Sequence, residues 1–151
     1  GVMCAVILKE VGLCDDVKIA HPRDIQESKV DITSNDIICN LPYHKGCYMW
    51  FDHHSSEFDK SNFPKEFIGI ADVAPSAAGL VYKYFLSDFP ELKKYERLVY
   101  ETDLIDSANL TLDQVKNSEG TFLLGFLLDS RTGLGYHRDF KISRRYNRSF
   151  S

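Results

Sequence analysis

No Cys-x-x-Cys pair occurs in this chain of 151 residues. Its four cysteines, Cys4, Cys14, Cys39 and Cys47, stand singly, and the first three lie in or beside apolar segments. A Cys-x-x-Cys redox or metal motif is excluded, and reduced, mostly buried thiols of a cytoplasmic protein are expected. Long hydrophobic runs are missing too. None approaches the roughly 18 apolar residues that a membrane-spanning helix needs, so no membrane partner is expected. The glycines never form a P-loop, because the Gly-Lys-Ser/Thr ending is absent. Internal repeats and low-complexity tracts are absent as well, which leaves an ordinary globular domain.

What is present fits that class. The length suits one domain with a sizeable core. Hydrophobic residues make up 44% and charged residues 26% of the chain, both ordinary values. The net charge of −4 hides an asymmetry. Residues 131–151 hold six basic side chains and one acidic, so they carry +5 and the rest carries −9. An acidic body with a basic end suits metal binding in one place and an anionic substrate in another. A solvated tail is the plainer explanation.

Hydrophobic patterning predicts a buried helix over residues 1–11, stopped by Gly12. Short apolar strands are expected at 17–21, 36–41 and 47–51, separated by a polar connection over 23–30. After residue 70 the spacing turns helical, with helices expected over 75–87, 90–104 and 113–128. Ser76 or Pro75 can start the first of these, and Pro90 suits the first turn of the second. The natural reading is an α/β three-layer domain with a mostly parallel sheet flanked by helices.

The chemistry concentrates at Asp52, His53 and His54, just beyond the aromatic run Trp50–Phe51. An open α/β sheet presents its active groups beyond the carboxyl ends of its strands. Imidazole with carboxylate suits Mn, Fe, Co or Zn. Consecutive strand residues point to opposite faces, so the two histidines can cooperate only if the chain turns there. Asn40 ends the neighbouring strand and offers a neutral oxygen. It also suits a plain turn before Leu41 and Pro42. Asp103 and Asp106 share a helix face at i and i+3. Acids at a helix C-terminus oppose its dipole and need another reason to be there. Arg131 and Arg138 flank two glycines in a stretch able to cradle phosphate. His21 and His44 read as loop histidines.

Taken in order, residues 1–5, 40–43, 51–57, 75–78 and 106–108 resemble the DHH phosphoesterases, particularly the exopolyphosphatase-related branch. The resemblance covers nearly the whole chain. It implies a parallel-sheet catalytic domain over residues 1–130, with residues 131–151 leading toward a second domain. It also implies two divalent metals, commonly manganese, with Mg, Co or Zn as substitutes. Gly1 matches the last residue of the family's Asp-x-Asp-Gly motif, whose aspartates and strand are not in this sequence. Asn40 stands where the family has a bridging aspartate. By the same match His53 would be a metal ligand, His54 would contact phosphate and Asp52 would orient an imidazole from behind. Asp106 best matches the fourth motif's aspartate, with Asp103 second. Arg131 and Arg138 would face substrate.

The implied activity is metal-assisted hydrolysis of a phosphoester or phosphoanhydride. The expected partners are a phosphorylated small molecule, polyphosphate or a short oligonucleotide, with homo-oligomerisation left open. His53, Asp106 and Asn40 make at most three ligands for two metals. Weak or single metal occupancy, and little or no hydrolysis, are therefore expected of residues 1–151 by themselves. A nucleotide- or phosphate-binding module with a degenerate metal site is the alternative, and Asn40 is its best support.

Overall fold

The computed structural model describes residues 1–58 and 63–129. It is an α/β fold built on a three-stranded parallel sheet flanked by helices. Helix α1 (Val2–Glu10) comes first, then α2 (Pro22–Gln26), β1 (Ile37–Cys39), β2 (Met49–Asp52) and α3 (Ser55–Phe58). Next are β3 (Gly69–Ala71), α4 (Ala77–Phe85), a 3-10 turn (Pro90–Tyr95), α5 (Glu96–Asp106), α6 (Leu112–Lys116) and α7 (Gly120–Leu128). Two compact units divide the chain, the first being Gly1–Asp103 and the second starting at Leu104.

The sheet order is β1-β2-β3, with β2 in the centre. Ile37 pairs with Met49 and Cys39 with Phe51 on one side. Trp50 pairs with Gly69 and Asp52 with Ala71 on the other. All four residues of β2 are buried, as expected of a parallel strand covered on both faces. Met49 and Phe51 join Cys4, Ile7 and Leu8 of α1 and Ala78, Val81 and Phe85 of α4 in one apolar core. Trp50 instead meets an aromatic cluster with Tyr43, Phe63 and Phe67, at centroid distances of 5.2, 5.8 and 5.1 Å. Its indole N–H donates to the Leu41 carbonyl at 2.9 Å.

Several elements differ from the sequence reading. Residues 17–21 form no strand, and Ile19 is 64% exposed. Pro22 opens α2 instead, capped by the His21 ring, which accepts the Arg23 N–H at 3.1 Å. So part of the expected polar connection is helical. Strand β3 was not expected. It is three residues long and begins at Gly69, whose φ is +125°. A Cβ there would lie 2.0 Å from the Trp50 carbonyl oxygen, so only glycine lets the strands pair at this point. The helix expected over 90–104 is a 3-10 turn followed by α5. The one expected over 113–128 is the two helices α6 and α7. Thr111 and Gln114 form a capping box at α6, and that helix ends at Asn117.

Within the second unit, Ile105 packs over Gly125, where a Cβ would come within 2.8 Å. Leu123, Leu124 and Leu127 of α7 are exposed. None of the four cysteines is in a disulfide, and a hydrogen bond with Cys4, together with burial, pushes the Cys39 thiol pKa well up. No helix among the described residues is long and apolar enough to cross a membrane.

Candidate active site

Two strand ends make the floor of the site. Beyond β1, the Asn40 N–H donates to the Phe51 carbonyl at 2.9 Å, extending the ladder by one residue. Asn40 then turns the chain with φ of +60°, a left-handed conformation that asparagine tolerates better than most residues. Its side-chain oxygen Oδ1 is buried with no hydrogen-bond partner. The turn-forming role and the buried acceptor coexist in one residue.

Beside it, Asp52 closes β2 with no exposed surface. Its Oδ1 accepts the His54 Nδ1–H at 2.8 Å, while Oδ2 is buried and unpartnered. Burial pushes the Asp52 carboxyl pKa up, and the His54 hydrogen bond opposes that rise. The carboxylate fixes His54 as the Nδ1–H tautomer when neutral, so the ring's basic lone pair sits on Nε2. The His54 side chain is about half exposed, at 51%.

His53 is held by a different device. Its Nδ1 lies 3.0 Å from the Ala74 carbonyl oxygen. A carbonyl only accepts, so Nδ1 donates and the lone pair is again on Nε2. The two imidazole centroids are 4.4 Å apart. The turn required for the histidines to cooperate is therefore present, directly after the strand.

The loop carrying Ala74 is pinned at both ends. Asp72 N–H donates to the Asp52 carbonyl at 3.1 Å. At the far end Ser76, fully buried, caps α4 by accepting the Gly79 N–H at 3.0 Å. The Ser76 hydroxyl donates to Asp103 Oδ1 at 2.5 Å. Asp103 thus meets the N-terminus of α4, which favours negative charge. That supplies the reason its place near the end of α5 lacked in the sequence alone.

No family model matches this chain, and no curated protein does. A solved structure does. The chain is similar to PggH from Vibrio cholerae, a pGpG-specific phosphodiesterase. The two are 37% identical with a TM-score of 0.73, over 95% of this chain and 47% of that one. The chain therefore spans about half the length of its neighbour. That neighbour is a phosphodiesterase, so the likeness lends nothing to the exopolyphosphatase-related branch.

The remaining expected residues belong to other segments of the chain. Asp106 is exposed at the end of α5 and belongs to the second unit. Arg131 and Arg138 lie outside the described residues. His21 caps α2, and His44 Nδ1 accepts the Gly46 N–H at 3.1 Å, so each serves its own turn. Among the described residues no group of three His, Cys, Asp or Glu side chains is gathered to cage a metal. The donors present are chemically suited to one all the same: an imidazole lone pair on His53 and a buried, unpartnered amide oxygen on Asn40. Sequence reasoning missed the part played by Ala74. A backbone carbonyl leaves no trace in residue identity. Ser76 was legible as a helix start, but its bond to Asp103 was not.

Proposed function

We propose that the chain is the histidine-bearing half of a divalent-metal-dependent phosphoesterase that hydrolyses a nucleotide-type substrate. The observation that carries this is the pair of adjacent imidazoles at the end of the central strand, each held by its Nδ1. The likeness to PggH favours a linear dinucleotide such as pGpG over polyphosphate. Manganese is the proposed ion, with His53 Nε2 and Asn40 Oδ1 as its holders from the first unit. When bound, such a cation makes water a stronger acid and offsets phosphate charge.

The other groups have separate tasks. His54 reaches solvent, and Asp52 behind it holds the ring by its Nδ1. As the imidazolium, His54 can use its Nε2–H to hold a phosphate oxygen or give a proton to the leaving oxygen. His53 sits deeper, with its ring angle set by a main-chain acceptor.

The test is manganese titration of wild type and His53→Ala, with pGpG and polyphosphate offered as substrates. Loss of manganese binding in His53→Ala, with pGpG the preferred substrate, is expected. Unchanged manganese affinity sinks the reading. A second reading, binding without hydrolysis, rests on Asn40, whose neutral oxygen binds a cation more weakly than carboxylate. Asn40→Asp in the full-length protein separates the two. A large gain in hydrolysis favours a decayed enzyme acting as a binder, and no gain favours an enzyme adapted to asparagine.

A further inference from the structure

We infer that Asp103 is a positioning residue for His53, acting through Ser76 and the loop at residues 74–76. The loop has little packing to hold it. Val73 is 69% exposed, and Pro75 is exposed as well. What fixes the Ala74 carbonyl in space is therefore the anchoring of the loop's ends. At the far end the anchor is one hydroxyl with two duties. Ser76 Oγ accepts from Gly79 N–H and donates to Asp103, a charge-assisted bond at 2.5 Å. Ala74 precedes Pro75, which restricts Ala74 to extended backbone. The short span between Ser76 and the carbonyl is thus stiff, and a shift at Ser76 is transmitted to the acceptor of His53.

A second observation points the same way. A Cβ on Gly79 would stand 2.9 Å from Asp103 Oδ1. The missing side chain at position 79 is the space the carboxylate occupies. The Gly79 N–H is committed to Ser76 and the Ser76 hydroxyl to Asp103, so neither is left for a substrate anion. The proton that decides which His53 nitrogen can bind a metal is thus set, two links away, by a residue from α5.

The experiment follows the His53 and His54 ring nitrogens by two-bond proton–nitrogen spectra of the whole chain. Manganese dissociation constants are measured beside them. Wild type and Asp103→Asn, which keeps an acceptor oxygen, are expected to hold His53 as the Nδ1–H tautomer. Asp103→Ala and Gly79→Ala are expected to mix the His53 tautomers while His54, held by Asp52, keeps its signature. Their manganese dissociation constants should rise by about tenfold or more, the usual scale for loss of a ligand's orienting partner. An unchanged His53 spectrum in Asp103→Ala overturns the inference. So does a joint change at both histidines, which marks general loosening. If Asp103→Ala does not fold, Gly79→Ala decides alone, since alanine suits a helix better than glycine. The manganese readout rests on the proposed metal role of His53, and the tautomer readout does not. A tautomer response without manganese binding in any variant sinks only the metal proposal.

Discussion

Asp52 divides its carboxylate between two environments. One oxygen holds His54, and the other is buried without a partner. Replacing Asp52 with Asn keeps the shape but removes the acceptor-only partner that fixes the His54 Nδ1–H. Under the proposed function, pGpG hydrolysis by the full-length protein should fall by about 10- to 100-fold, with manganese affinity nearly unchanged. Equal loss of both would place Asp52 on the metal instead. A different carboxylate shows how pH enters. The Thr33 N–H and hydroxyl bond Asp36 at 2.7 and 2.8 Å and hold its pKa below the ordinary 3.8. The unfolded chain takes up that proton first as pH falls. The contribution to stability is whole above 3.8 and is lost as pH drops through the folded value. Asp36→Asn should flatten the acid side of a plot of urea midpoint against pH. At this scale the histidine pair was legible, because residue type carries its chemistry. The Ala74 carbonyl was not, because every residue has one.

Elements were legible where a hydrophobic period or a stop signal was long enough to read. Helix α4 lies inside its expected span, with Ser76 as its cap, and β1 and β2 sit within a residue or two of theirs. Residues 17–21 had a strand's composition but found no neighbouring strand to pair with, and β-propensity alone does not hold a segment extended. Strand β3 failed in the opposite sense. Its three residues are too few for any alternation, and its register depends on a glycine whose neighbour is a carbonyl oxygen. Gly69→Ala should therefore cost on the order of 3 kcal/mol, combining a clash with an unfavourable backbone angle. Urea denaturation would measure it. A loss well below 1 kcal/mol would mean that the edge strand shifts freely to make room.

Across the whole molecule, order should follow burial. The amides of β2 lie in the central strand among fully buried side chains. Helices α6 and α7 bury none of their own. Native-state hydrogen exchange should be slowest in β2 and fastest in α6 and α7, because local opening is cheapest where little apolar surface is held. Comparable rates in both places would contradict this. At this scale the α/β class was legible from strands read early and helices later. The split at residue 104 was not, because α5 runs through it without any break in composition.

The two histidines are neighbours in sequence yet differ in what mutation can do to their supports. His54 depends on the Asp52 side chain, so a substitution at position 52 removes its support outright. His53 leans on main chain at position 74, where almost any side chain preserves the carbonyl. A saturation scan would mark position 52 as intolerant and position 74 as nearly silent, although both hold an imidazole in place. Tolerance to substitution would then hide one of the two supports of the site.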